Sequence, residues 1–442
     1  MGELNKLSAF DAVNGIRTKR FTSQQLMADC ITRIEKREPS VRAWAHFDPE
    51  HAMAEAKKAD KKQDNGERLG PLHGIPVGIK DVIDAKGMLG EHGSPIFANR
   101  VPEEDSEAVI QLKNAGAIIM GKTVTTEMAN LAPSKTRNPN DLKRSPGGSS
   151  SGSAASVADF HVPLALGTQT GGSVIRPASF NGVHGLKPTV GQISRKGMLL
   201  QSHTLDTIGV YARNLVDLAI INDCLINKNA DGISEEILEQ GSNVFKNWAK
   251  TSETPKFAFL ETPAWPEADI GAKNAIETAI TSLSSACQRE RLPDPFNKII
   301  DYHAAVFAAE NSHYYGPFLD NHSELLSEKL RDRLIVSKTT LASEYIAALN
   351  ARDKIYHSLQ DLLDDYDAVL CLAATGAAPI GFETTGSAIF NGLWTYLGVP
   401  CLSLPLLTTE NMPLGLQLVG KRGDERKLFE TANWIENHLK AS

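Results

Sequence analysis

Arg144-Ser145-Pro146-Gly147-Gly148-Ser149-Ser150-Ser151-Gly152-Ser153 opens a stretch that continues through Gly167-Thr168-Gln169-Thr170-Gly171-Gly172-Ser173. It closes with Gly185-Leu186-Lys187-Pro188-Thr189-Val190-Gly191. Polypeptide this rich in Gly and Ser is usually a linker or a low-complexity tail. Apolar segments exclude that here. Val162 to Leu166 reads as a short buried strand, and Ala154 to Ala158 as the start of a helix. Glycines that flank ordered elements supply positive φ or let the backbone approach a ligand closely. The stretch is therefore expected to be an active site with a serine nucleophile.

Upstream, Gly70-Pro71-Leu72-His73-Gly74-Ile75-Pro76-Val77-Gly78-Ile79-Lys80-Asp81 changes character. Val77 to Ile83 has strand composition with Lys80 in its middle. Such a lysine either points outward from an edge strand or is buried with a depressed pKa. Asp105 to Ala115 predicts a helix burying Ala108, Val109, Leu112 and Ala115, with Gly116 just past its end. Ala117 to Met120 predicts a strand. Gly116 to Thr123 therefore matches G-x-x-x-x-G-K-T without the loop that a phosphate needs, which argues against nucleotide binding. Nearer the start, Thr22-Ser23-Gln24-Gln25 predicts a capping box. The helix it opens is expected to end at Pro39, and a polar helix to cover Glu55 to Lys62.

Downstream, Asn214 to Asn227 predicts a helix, and the polar residues 228–255 a surface insertion. Lys256 to Leu260 predicts a strand. Long helical segments are expected at Ala272 to Glu290 and Ser337 to Asp364, with a less regular region around His313, Tyr314 and Tyr315 between them. Strands follow at Ala368 to Leu372, Pro400 to Leu407 and Leu414 to Val419, then a last helix from Asp424 to Lys440. Strands separated by helices imply an α/β fold, a layered sheet covered on both faces. Length alone fits two to three domains, but no fixed-period repeat and no clean linker divides the chain, so one domain is expected.

The chain has 442 residues and a net charge of −7. It shows no aromatic–basic interleaving, so no nucleic acid partner is expected. Cys30, Cys224, Cys287, Cys371 and Cys401 are scattered without Cys-x-x-Cys spacing, against a zinc site or a disulfide framework. Reduced cysteines fit a cytoplasmic protein. No signal peptide and no membrane span are expected.

A serine needs an activating base. Gly148-Ser149-Ser150-Ser151-Gly152 matches the G-x-S-x-G elbow with Ser150 as nucleophile, but the elbow requires a strand before it. Asn138 to Pro146 reads as a loop instead. His161, His184 and His203 have no distinguishing setting. Thr170-Gly171-Gly172-Ser173 offers more. Two glycines before a serine let successive N–H groups turn to one side, a nest for a developing oxyanion. A plain tight turn favours the same residues.

Taken together, Lys80 in Gly74 to Asp81, the Gly147 to Ser153 run, and Gly167 to Ser173 running on to Pro177-Ala178-Ser179-Phe180 resemble the amidase signature family. So do Gly185 to Thr189, Gly116 to Thr123, Val399-Pro400 and Gly415-Leu416-Gln417-Leu418-Val419-Gly420. The resemblance covers most of the chain and is thinnest between about 228 and 365. It implies one domain over 1–442, with a signature core at about 66–220 and a variable substrate-side region at about 228–365. It also implies a central twisted mixed β-sheet with helices on both faces. For chemistry it implies a Ser–cisSer–Lys triad: Ser173 as nucleophile, Ser149 as bridging serine after a non-proline cis peptide, and Lys80 as base. Backbone N–H groups of Thr170, Gly171, Gly172 and Ser173 would hold the oxyanion, and no metal or cofactor would be required. Asp81, next to the base, should point the other way in extended chain. Two positions depart from the family's common Gly-Thr-Asp-Thr-Gly-Gly-Ser-Ile-Arg pattern. Gln169 replaces the Asp, and Arg176 stands one place later.

The expected activity is hydrolysis of a carboxylic amide through an acyl-enzyme by a stand-alone amidase, with esters, carbamates, ureas and hydrazides open to the same chemistry. The alternative within the family is the ammonia-producing glutaminase subunit of a tRNA-dependent amidotransferase. Gln169, Arg176 and Phe390-Asn391-Gly392-Leu393-Trp394-Thr395 look more like free-standing enzymes. From another class, a non-catalytic binding protein on the same scaffold is opposed by the complete triad. Met128, Tyr314, Tyr315, Phe390 and Trp394 are candidates for an acyl or aryl pocket, although large aromatics mostly serve packing. A small-molecule amide is the expected partner, and a homodimer is left open.

Overall fold

In the computed structural model, residues 3–226 and 254–441 are described. The expected insertion at 228–255 lies outside them but for its last two residues, and so does Asn227.

Local signals set several boundaries. Thr22 Oγ1 accepts the Gln25 N–H at 3.1 Å, and the Gln25 side chain accepts the Thr22 N–H at 2.9 Å. The helix they open, Ser23–Val41, runs two residues past Pro39, where the sequence placed its end. It closes at Arg42 in the left-handed region, whose N–H reaches the Glu38 carbonyl. Helix Glu107–Asn114 buries Ala108, Val109 and Leu112, and Gly116 takes φ +87 after it.

The strands are β1 (Trp44–Phe47), β2 (Pro76–Lys80), β3 (Ile118–Thr123), β4 (Leu164–Gln169), β5 (His184–Lys187) and β6 (Thr207–Ala212). They continue with β7 (Phe257–Leu260), β8 (Cys287–Glu290), β9 (Ala368–Leu372), β10 (Cys401–Thr409) and β11 (Met412–Val419). Among the described residues they form one 11-stranded sheet in the order β1-β3-β2-β4-β6-β5-β10-β11-β9-β7-β8. It is mixed. β2 runs parallel to both β3 and β4, while β4 pairs antiparallel with β6.

Both faces are covered, as β9 shows. Ala368, Leu370 and Leu372 pack in one cluster, with Ala272, Ile276, Phe429 and Ile435. Val369 and Cys371 point the other way into a second cluster, with Ile355, Leu359, Leu363 and Trp394. This alternation is the period-2 signature of a strand buried on both sides.

Four elements differ from the sequence expectation. Ala154 to Ala158 is the end, not the start, of helix Ser151–Ala158. Ala272 to Glu290 divides into helix Ile270–Leu283 and strand β8, because Ser284 with φ 52 breaks the helix. Ser337 to Asp364 holds the end of helix Glu328–Ser337 and then helix Ala342–Asp365. The region around His313 is regular, lying within helix Ile299–His322. That helix feeds two clusters, Val306 and Phe307 into one and Tyr315 into another, so no single apolar stripe marks it in sequence.

Lys80 ends β2, and Gln169 ends the parallel neighbour β4. Ser149 and the Thr170 to Ser173 loop lie just beyond these ends. Open α/β sheets bind ligands outside the carboxyl ends of parallel strands.

Candidate active site

The serines of the Gly/Ser run separate by what they touch. Ser151 Oγ donates to the Gly147 carbonyl and Ser153 Oγ to the Leu166 carbonyl, both at 2.8 Å. Ser150 Oγ accepts the Thr168 N–H and donates to the Thr168 carbonyl, each at 3.2 Å. Ser151 closes the loop on itself, Ser150 and Ser153 tie it and its helix to β4, and Ser150 is not placed as an elbow nucleophile. Ser149 alone of the four turns to a base. Its Oγ lies 2.6 Å from Lys80 Nζ. The Gly148–Ser149 peptide is cis. Gly147 takes φ +80, open to glycine at little cost. A Cβ on Gly148 would come within 2.8 Å of Thr385 and 2.9 Å of Thr126 side-chain carbons, so only glycine fits there.

Among the described residues three lysines are fully buried, and their partners distinguish them. Lys122, the lysine of the rejected phosphate-loop match, pairs with Asp81 at 2.9 Å. Lys187 donates to the carbonyls of Pro188 and Val399. Lys80 meets two hydroxyls, Ser149 and, at 2.7 Å, Thr168. Burial pushes its pKa well below the usual lysine value, against a smaller opposing pull from Asp206. Lys80 therefore sits in a central strand, not on an edge. Its neighbour Asp81 faces away from it, toward Lys122.

The second loop is held from outside by its carbonyls. His303 Nε2 lies 3.0 Å from the Thr170 carbonyl, Thr395 Oγ1 donates to the Gly171 carbonyl at 2.7 Å, and the Arg176 N–H reaches the Gly172 carbonyl at 3.0 Å. Among the described residues, no acceptor engages the N–H groups of Gly171, Gly172 or Ser173. Thr170 Oγ1 donates to Asp206 at 2.5 Å, and Asp206 also accepts the N–H groups of Gln201 and Ser202. Burial raises the Asp206 pKa to about 6 despite those bonds. Ser173 is half-exposed, and its carbonyl accepts from Tyr211 at 3.1 Å.

The two departures from the family pattern acquire contacts. Gln169 Oε1 accepts the N–H groups of Val174 and Ile175 at 2.8 and 3.0 Å, capping helix Ile175–Asn181 as a carboxylate would. Its Nε2 donates to Thr395 Oγ1 at 2.9 Å, which a carboxylate cannot do. Arg176 Nη2 donates to the carbonyl of Gly148 at 2.6 Å, on the peptide that leads into Ser149. Burial lowers its pKa to about 10.

The pocket candidates scatter. Phe390 and Trp394 are fully buried, Trp394 beside Phe296 with ring centroids 6.3 Å apart. Met128 and Tyr315 are fully buried together, with the Tyr315 hydroxyl donating to the Met128 carbonyl at 2.9 Å. Tyr314 is half-buried against His313. A cavity of about 450 Å³ opens on the Asp81 side, lined by residues including Glu91, Thr125 and Glu127, and none of the five lines it. His161 and His184 bond to Asp159 and Glu436, and His203 is exposed. No role attaches to Thr168, Asp206 or His303 in the sequence, and Thr395 is named only within the segment 390–395. Thr168 stood inside the quoted motif. Asp206, in the mixed run His203-Thr204-Leu205-Asp206-Thr207, carried no signal of its own.

Among the described residues, no helix is long and apolar enough to cross a membrane, and no group of three or more His, Cys, Asp or Glu side chains is placed to hold a metal.

Compared with known proteins, residues 25–429 match a family model described as Amidase. A glutamyl-tRNA(Gln) amidotransferase subunit from Natranaerobius thermophilus is 31% identical over 480 residues, covering 99% of this chain and 96% of that protein. The peptide amidase of Stenotrophomonas maltophilia superposes with a TM-score of 0.84 at 27% identity, covering 98% of this chain and 97% of that one. A protein from a vestigial complex tied to the origins of an s-triazine catabolic enzyme superposes with a TM-score of 0.89 at 25% identity, covering 98% of each chain.

Proposed function

The chain belongs to the amidase signature family, and within that family of C–N hydrolases we propose that it is a stand-alone amidase working through Ser173, Ser149 and Lys80. The observation that carries this reading is the buried Lys80 amine, 2.6 Å from Ser149 Oγ, whose side-chain partners among the described residues are hydroxyls. A neutral amine has two N–H donors and one lone pair. One N–H serves Thr168 Oγ1, and the lone pair accepts the Ser149 proton. Ser149 in turn draws the proton of Ser173, whose Oγ attacks the amide carbonyl. The N–H groups of Gly171, Gly172 and Ser173 stabilise the oxyanion. The proton returns through Ser149 to the leaving amine, and water cleaves the acyl-enzyme.

The test is labelling with a fluorophosphonate, located by mass spectrometry, beside turnover of aryl and alkyl amides, ureas and glutamine. Label on Ser173 with amide turnover by the isolated chain is expected. Label elsewhere, or none, counts against the assignment. The curated relatives favour a second reading, since proteins 31% identical over nearly the whole chain are glutamyl-tRNA(Gln) amidotransferase subunits. Ammonia release from glutamine only when a partner protein is added would select it. One domain with a signature core and a variable substrate-side region, in a cytoplasmic enzyme for small amides, completes the proposal.

Asp206 supplies a pH test. Its carboxylate favours the charged form of Lys80, so removing that charge favours the neutral amine. Asp206→Asn keeps an acceptor for the N–H groups of Gln201 and Ser202, and its amide N–H takes the place of the oxygen that accepts from Thr170, so the Thr170 hydroxyl turns from donor to acceptor. The acid limb of its kcat/KM profile should move to lower pH. The two enzymes should converge below about pH 6, where Asp206 is itself protonated. A limb moved to higher pH would contradict this placement of the base.

A further inference from the structure

In a planar trans peptide the carbonyl of one residue and the N–H of the next point in opposite directions. Fixing a carbonyl therefore fixes the following N–H. In the Thr170 to Ser173 loop the Gly171 carbonyl is held by Thr395, on helix Ile389–Leu397, and the Gly172 carbonyl by the Arg176 N–H. Arg176 lies in a segment that carries the family resemblance, and Thr395 in the segment that sets this chain beside free-standing enzymes. The Thr170 carbonyl is held by His303 Nε2 at 3.0 Å. His303 lies on helix Ile299–His322, in the region where the resemblance is thinnest.

The ring is seated, not merely nearby. A Cβ on Gly392 would lie 2.9 Å from His303 Nδ1, so that glycine makes room for the imidazole. On the other side the ring comes within 3.7 Å of where a Gly171 Cβ would lie. Burial, with Arg333 adding to it, pushes the His303 pKa down to about 4, so the ring is neutral near pH 7. A carbonyl partner then requires the proton on Nε2.

We propose that His303 is a positioning residue for the oxyanion loop. Its Nε2–H holds the Thr170 carbonyl away from the substrate and so holds the Gly171 N–H toward the developing negative charge. This rests on the reading of Ser173 and its loop given above. It makes the variable region part of the catalytic machinery, because a helix outside the signature core sets the aim of a donor inside it.

The test compares His303→Leu, His303→Gln and Ser173→Ala in the full chain, with p-nitrophenyl acetate as the acylating probe. Gln carries an N–H at nearly the reach of Nε2, and Leu does not. The Leu variant should lose about 10-fold to 100-fold in kcat, somewhat less than removal of an oxyanion donor outright, with KM within about two-fold. The Gln variant should recover to within about three-fold of wild type. Structural support alone would not give recovery that follows the donor. An unchanged kcat for His303→Leu overturns the inference, and so does a folded Gln variant as slow as Leu. If the Leu variant does not fold, His303→Met takes its place against Gln with the same outcomes. Turnover by Ser173→Ala would remove the underlying site assignment, and this inference with it. An inactive Ser173→Ala beside a fully active Leu variant would remove only the role of His303.

Discussion

Ser173→Ala should abolish amide hydrolysis, by about 10³-fold or more, and leave the fold intact. The side chain is half-exposed and, among the described residues, makes no hydrogen bond, so its loss removes little folding energy. Lys80→Met should match it in activity. The variant replaces a buried amine by an apolar chain of similar length, and the hydroxyls of Ser149 and Thr168 that it leaves are small and can turn to other acceptors. Residues that act as one unit are not additive, so the double variant should be no slower than either single one. Steady-state turnover alongside circular-dichroism melts checks this. An active Ser173→Ala protein would end the assignment, and a double variant far slower than both singles would mean that Lys80 and Ser173 act separately.

Asp81→Ala should cost about 3–5 kcal/mol of stability, because it leaves Lys122 buried without its carboxylate. Neither group of that pair reaches Lys80 or Ser149 through a hydrogen bond, so the loss is one of folding and not of chemistry. Replacing both partners by apolar residues, as in Asp81→Leu with Lys122→Met, should recover most of the stability, since a buried ion pair often only offsets its own desolvation. Chemical denaturation of the three proteins, with fluorophosphonate labelling of the folded fraction, separates the two effects. An Asp81→Ala protein as stable as wild type would show that Lys122 finds another partner.

The contrast between Lys80 and Lys122 shows how far residues speak for themselves. Both are lysines in apolar strands, and both fall inside short motifs. One matched a phosphate loop by spelling, yet it is a buried ion-pair partner in β3. The other resembled an ordinary edge lysine and proved to sit in the central strand β2 against two hydroxyls. Spelling alone did not tell them apart. The structural contexts did, strand against loop for one and the long Gly/Ser partner stretch for the other.

The sequence determined the layered α/β class, the capping box at Thr22, the reversal of Lys80 against Asp81, and the two serine loops. The first three follow from local chemistry, alternation along a strand and capping side chains within one turn, whereas the two serine loops were read through the family resemblance. It did not determine the helical state of 299–322, the break at Ser284, or the holders of the second loop. A helix that divides its apolar residues between two clusters shows no clean period, and His303 meets Thr170 across 133 residues of chain. Which hydroxyl turns to Lys80, and which side chains hold the Thr170 and Gly171 carbonyls, are decided by contacts between distant segments. Only tertiary packing brings those segments together.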